Sequence, residues 1–204
     1  MLTNLSHSKL RNWLKNVWVT VLRIIGSFLF IINCLVLPVS ASTLSEAIAS
    51  IDANAVFMRH ALAPGFGDPM NFTLDECSTQ RNLNDEGRLQ ATALGASLTE
   101  SNVSFTEVKS SFWCRCVETA QLLGVGKVER FSGLNSFFQD HADRVETLTA
   151  LNNYLVKLLP GKDLPLLVTH QVVISAVTGI SPASGGIVLH NTQTGRSVRW
   201  QPER

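Results

Sequence analysis

Short apolar runs alternate along most of this chain with segments whose apolar residues recur every three or four positions, the pattern of strands interleaved with amphipathic helices. The run at 53–58 predicts an opening strand, and a long loop bearing Gly, Pro and Asp follows over 61–84. Leu89, Ala93, Leu94 and Leu98 fall on one face of a helix expected over 85–100, with Asn84 or Asp85 as its cap. A short strand is predicted at 107–110, a helix over 115–123 and a strand at 127–131. Val145, Leu148, Leu151, Leu155 and Leu158 then mark a helix stopped by Pro160-Gly161. Residues 164–169 read as a buried strand, 172–177 as a short helix, and 186–190 with 197–200 as a closing pair of strands around a turn at 191–195. This alternation predicts an α/β fold, a three-layer sandwich whose mainly parallel central sheet carries helices on both faces. No internal repeat or low-complexity run interrupts it.

The N-terminal stretch has a different pattern. Lys9, Arg11, Lys15 and Arg23 precede an uncharged segment from Ile24 into Thr43, and Val39-Ser40-Ala41 has the small-x-small form of a signal-peptidase site. Residues 1–41 therefore read as an export signal cleaved after Ala41, leaving a domain over 42–204. The alternative is an uncleaved membrane anchor, because the stretch from Val17 to Ala41, interrupted only by Arg23, is long enough to cross a bilayer core of about 30 Å. A lipoprotein signal fits poorly, since Ile31-Ile32-Asn33 before Cys34 lacks small residues.

Cleavage changes the charge balance. Residues 1–41 hold four of the 17 basic residues and none of the 16 acidic ones, so the remaining domain has 13 against 16 and a net charge of −3. A mildly acidic domain offers no electrostatic footprint for nucleic acid or for anionic membrane, and contact with a membrane is expected only through an uncleaved N-terminal segment. Any anion site must be a local concentration of Arg and His. Cys77, Cys114 and Cys116 remain, and an oxidising compartment would let Cys77 pair with either of the other two, leaving one thiol over. A zinc site would need a fourth ligand and paired spacings that are missing.

That local concentration is visible where apolar runs end. Arg59-His60 follows the opening strand and Thr169-His170 ends another, the positions at which α/β sheets present ligand-binding groups. With Arg115, two arginines and two histidines point to a phosphate site. Gly124-Val125-Gly126-Lys127 is not a nucleotide loop, because the preceding strand, the full spacing and the hydroxyl after lysine are absent.

Four segments together resemble the histidine phosphatase superfamily, of phosphoglycerate-mutase-like fold: Phe57-Met58-Arg59-His60; Gln80-Arg81-Asn82-Leu83 with Gly87-Arg88-Leu89-Gln90-Ala91; Ser110-Ser111-Phe112-Trp113-Cys114-Arg115 with Glu118-Thr119-Ala120; and Val168-Thr169-His170. Gly67-Asp68-Pro69 and Trp113-Cys114-Arg115-Cys116 resemble an exported bacterial branch. The resemblance implies a phosphatase in which His60 attacks phosphorus and forms a phosphohistidine that water hydrolyses, while Arg59, Arg115 and His170 bind the phosphoryl oxygens. Arg81 is expected either to add a third guanidinium or to pair with Glu86 or Glu118. The scheme calls on no metal or other cofactor.

Two positions depart from the family pattern. Ala61 stands where a glycine usually follows the histidine, and Ser136 stands where many relatives carry a glutamate two residues after the position of Leu134. Asp140 is then the first candidate for the general acid and Asp68 the second. His141 and His190 are assigned to solvated positions. Phe66, Met70, Phe72, Phe137 and Phe138 are candidates for an apolar rim around a substrate that is a phosphorylated small molecule or glycan. Hydrolysis is preferred over a mutase reaction, and the competing reading is a catalytically weak phosphate-binding module.

Overall fold

The computed structural model describes residues 13–18 and 43–202. Residues 13–18 are helical with exposed side chains, and the rest of the expected leader, its cleavage site included, lies outside the described residues. No described helix is long and apolar enough to cross a membrane.

From Thr43 onward the chain runs α1 (Leu44–Ile51), β1 (Ala55–Arg59), α2 (Asp85–Glu100), β2 (Val108–Ser110), α3 (Cys114–Leu123), β3 (Val128–Arg130), α4 (Arg144–Leu155), β4 (Leu166–Thr169), α5 (Gln171–Thr178), β5 (Ile187–His190) and β6 (Ser197–Trp200). The six strands form one sheet in the order β3-β2-β4-β1-β5-β6. β3, β2, β4 and β1 are parallel, while β5 and β6 run antiparallel as a hairpin along β1. Alternation along each strand divides the core. Val56 and Met58 of β1, with Leu166 and Val168 of β4, meet α1, α2 and α3 on one face. Phe57 and Leu167 meet Leu151 and Leu155 of α4 and Val173 and Ile174 of α5 on the other. The result is the expected three-layer α/β sandwich.

Two helices bury only part of the faces expected: Leu98 of the first and Leu151 and Leu155 of the second are in the core, but other positions are not. In α2, Leu89 is 72% exposed and Ala93 also faces solvent, whereas Gly87, Ala91, Gly95 and Leu98 are buried. A side chain at Gly95 would collide with the Leu123 carbonyl at the end of α3, and one at Gly87 with the Leu62 carbonyl. Close backbone approach, not large apolar side chains, sets that face. Asn84 caps the helix by accepting from Gly87 N at 2.9 Å. In α4, Val145 is 73% exposed, and the helix ends at Leu155 rather than running to Pro160. Tighter bonds from Lys157 N to Tyr154 O and from Leu158 N to Leu155 O turn the chain so that Leu158 still reaches the core.

His190 is likewise not solvated. It is buried, shares a 2.9 Å hydrogen bond with Ser197 Oγ and meets Phe57 edge-on, and burial lowers its pKa. His141 is half-buried, its ring tilted against Phe72 at 4.4 Å and its Nε2 without a hydrogen-bond partner. Cys77 pairs with Cys114, and Cys116 is the free, buried thiol, pushed up to about 12 by burial and therefore inert.

Candidate active site

Parallel pairing of β1 with β4 sets Arg59 opposite Thr169, so His60 and His170 leave adjacent strand ends side by side. His60 N donates to Thr169 O at 2.9 Å, and the two imidazoles stand 5.5 Å apart. On the far side of β4, β2 ends at Ser110 and the chain enters α3, which carries Arg115 into the same crevice. Residues more than a hundred positions apart thus meet at the carboxyl edge of the sheet.

The local backbone fixes His60. Its Nδ1 is 2.7 Å from Ala61 O; a carbonyl can only accept, so Nδ1 carries the proton and Nε2 keeps its lone pair. Ala61 N in turn donates to Thr119 Oγ1 at 3.0 Å, and Leu62 N to Gln90 Oε1 at 2.9 Å. Among the described residues the left-handed non-glycine positions are Asp52, Asn102, Gln139 and Asp140, so the alanine after the histidine is unstrained. Burial first, then the Arg115 charge, push the His60 pKa down to about 3, and the ring is neutral at physiological pH. His170 is also driven well below its ordinary value by burial and by Arg115, and its Nε2 shares a 3.0 Å hydrogen bond with Ser111 Oγ.

Arg115 is held from behind. Its Nη1 and Nη2 donate to the two Asp68 oxygens at 2.7 and 3.1 Å, Nη1 also reaches Arg81 O at 3.1 Å, and Nε points at His60 Nε2 at 3.3 Å. Asp68 further accepts from Arg81 N at 3.0 Å and Trp113 Nε1 at 3.1 Å. Burial alone would raise the Asp68 pKa, but the hydrogen bonds and charge of Arg115 outweigh it and hold the carboxyl below its usual range. The Cys77–Cys114 disulfide ties the segment bearing Gln80 and Arg81 to the start of α3, and Gln80 Oε1 accepts from Cys114 N at 2.9 Å.

These groups form the floor of a cavity of about 620 Å³. Arg59, His60, Arg81, Arg115 and His170 line it, so five of the residues expected at the site are brought together. Arg81 pairs with neither Glu86 nor Glu118; its Nε donates to Gly67 O at 2.6 Å and its Nη1 to Ala63 O, while Arg88 takes Glu118 at 2.7 Å. Arg59 donates to Pro182 O at 3.1 Å, and its buried Nε has no hydrogen-bond partner. The N-terminal turn of α5 adds Gln171 and Val172 to the wall, with its dipole favouring an anion.

Asp140, expected as the acid, is exposed in a left-handed conformation and lies outside the residues lining the cavity. No carboxylate lines it among the described residues. Of the expected aromatic rim, Phe66, Phe137 and Phe138 line the cavity, the first and last packing edge-on at 5.2 Å. Met70 is fully exposed, and Phe72 instead stacks on Trp113 in the core at 5.3 Å. Sequence reasoning did not single out Arg144, which lines the cavity from the first turn of α4 with its guanidinium 5.4 Å from the Phe137 ring centre. Nothing local distinguishes it from a surface helix arginine.

Residues 56–137 match the family model of the histidine phosphatase superfamily (branch 1). No curated protein matches the chain in sequence. Among solved structures, a mycobacterial glucosyl-3-phosphoglycerate phosphatase complexed with VO3 superimposes with a TM-score of 0.52 at 14% identity, over 74% of this chain and all of that one (100%). A protein from Agrobacterium tumefaciens, provisionally assigned as the phosphohistidine phosphatase SixA, gives 0.51 at 16% identity, over 76% of this chain and 99% of that one. The protein TTHB049 from Thermus thermophilus gives 0.50 at 18%, over 72% and 98%. At such identities the likeness concerns the fold, which is phosphoglycerate-mutase-like.

Proposed function

We propose that this protein is an exported, metal-independent phosphomonoesterase that hydrolyses phosphate esters through a phosphohistidine on His60. The observation that carries the reading is the geometry of His60: its Nδ1 proton is committed to Ala61 O, which leaves Nε2 as the acceptor, 3.3 Å from Arg115 Nε on the floor of a cavity lined by arginines. Attack by Nε2 on phosphorus forms the N–P bond as the ester P–O bond breaks, its electron pair leaving on the alcohol oxygen, which must gain a proton; the ring becomes a cation that keeps its Nδ1 proton, and the Ala61 carbonyl meets that charge. Arg59, Arg115 and His170 bind the phosphoryl oxygens, and Arg81 lies beside them. Water then attacks phosphorus, the N–P bond returns its electron pair to Nε2, and phosphate leaves.

Hydrolysis is preferred over a mutase reaction, because a mutase must retain the phosphoryl group and return it to substrate, and export would separate the chain from cytosolic sugar phosphates. The second reading, a phosphate-binding module with weak turnover, is favoured by the lack of a lining carboxylate. Hydrolysis of 4-nitrophenyl phosphate in EDTA, with trapping of an acid-labile phosphoenzyme, separates the two. Turnover and label that vanish in His60→Ala support the enzyme; phosphate binding without either supports the module. N-terminal sequencing of the protein recovered from cells tests cleavage after Ala41 against a retained membrane anchor.

A further inference from the structure

The chemistry expected of His60 leaves one requirement unmet. When Nε2 takes the phosphoryl group, the P–O bond breaks and its electron pair stays on the bridging oxygen; an alkoxide must then gain a proton, whereas a phosphate need not. The cavity lining supplies imidazoles, guanidinium groups, serine hydroxyls and apolar side chains, with no carboxyl among the described residues. The nearest buried carboxylate, Asp68, has both oxygens filled by four N–H donors from Arg115, Arg81 and Trp113. Ser136, at the position where an acid was expected, accepts from Phe138 N at 3.3 Å.

Charge adds a second observation. Of the four arginines lining the cavity, only Arg115 is ion-paired, with Asp68. Arg59, Arg81 and Arg144 have no carboxylate within 4.0 Å among the described residues. Three uncompensated cations exceed what one phosphoryl dianion neutralises, and Arg144 enters from α4, an element separate from those carrying the His60 cluster.

We propose that the cavity takes phosphate anhydrides, whose leaving group departs as a phosphate anion without a proton from the protein, and that Arg144 receives this second phosphate. The inference rests on His60 as phosphoryl acceptor. In the balanced step the terminal phosphorus of a diphosphate bonds to Nε2, the bridging P–O bond breaks, and the bridging oxygen becomes a terminal oxygen of the released phosphate. Water hydrolyses the phosphohistidine as for an ester.

The test is kcat/KM in EDTA for inorganic diphosphate, 4-nitrophenyl phosphate and glycerol 2-phosphate, with wild type, His60→Ala and Arg144→Gln. Diphosphate and the aryl ester should turn over, and the alkyl ester should lag by about a hundredfold, the usual worth of a general acid. Arg144→Gln, a change at an exposed residue, should lower kcat/KM for diphosphate about tenfold more than for the aryl ester, as expected for one charge-assisted hydrogen bond made to the second phosphate alone. An alkyl ester as good as diphosphate, no diphosphate turnover alongside an active aryl ester, or an equal loss on both in Arg144→Gln would overturn the inference and leave His60 as acceptor. Inactivity on all three with no phosphoenzyme would instead overturn the His60 reading, and this inference with it.

Discussion

The floor and the rim of the cavity are built on opposite principles. On the floor, the central groups are buried and held by named partners: Asp68 grips Arg115, Arg115 faces His60, Ala61 O fixes the His60 tautomer, and the disulfide clamps the loop to α3. At the rim, Phe66 is 86% exposed and Phe138 36%, and Arg144 is exposed with its guanidinium 5.4 Å from the Phe137 ring centre. A preorganised floor lets charge developing on phosphorus meet donors that need not reorganise, whereas a sparsely bonded rim can accept leaving groups of different shape. In the proposed reaction the floor would bear on phosphoryl transfer and the rim on the leaving group.

The contrast can be broken at several depths. His60→Ala should abolish both turnover and phosphoenzyme while the protein stays folded; residual label in that variant would move the nucleophile elsewhere. Asp68→Asn should cost about 3–5 kcal/mol of stability, since it leaves the Arg115 charge buried and unpaired, and should lower kcat more than it raises KM. Unfolding in urea and steady-state kinetics would show this, and a variant as stable as wild type would mean that Asp68 does not hold the floor. Reducing Cys77–Cys114, which closes a loop of 37 residues, should remove about 3–4 kcal/mol by the loop-entropy account; melting temperature with and without a dithiol measures it.

Acid should also loosen the floor before the rim. The pKa of His60 is about 3 when folded, against about 6.5 unfolded, and that of His170 is also lowered, so below about pH 6.5 the unfolded chain binds more protons. Stability is full above that pH and falls by about 1.4 kcal/mol per pH unit for each histidine as pH drops toward the folded pKa. A flat stability profile between pH 6.5 and 5 would contradict the buried neutral state. The smallest effect belongs to the rim: Phe66→Ala should change stability by less than about 0.5 kcal/mol, with KM shifting for bulky substrates only. A large loss of stability there would show that the rim is structural after all.

The hydrophobic pattern and the residues at apolar-run ends determined the α/β layering, the strand order of events along the chain and the histidines and arginines of the floor, because burial of both sheet faces forces apolar runs and leaves polar residues only where strands stop. The bounds of α2 were legible from Asn84 and its neighbours, yet its buried face was legible only in part. Gly87 and Gly95 bury by backbone approach, which side-chain periodicity does not record. Cysteine count allowed two pairings with Cys77, and only distance chose Cys114. Asp68 and Asp140 look alike in sequence, both loop aspartates; folding buries one against Arg115 and leaves the other in solvent outside the cavity. Arg144 joins the site only because α4 packs beside β4 and α5. Local sequence sets which groups are available and which way each element faces, but partners come from segments that meet only when the sheet closes, and it is the partner that decides whether a charge is paired, exposed or free to bind.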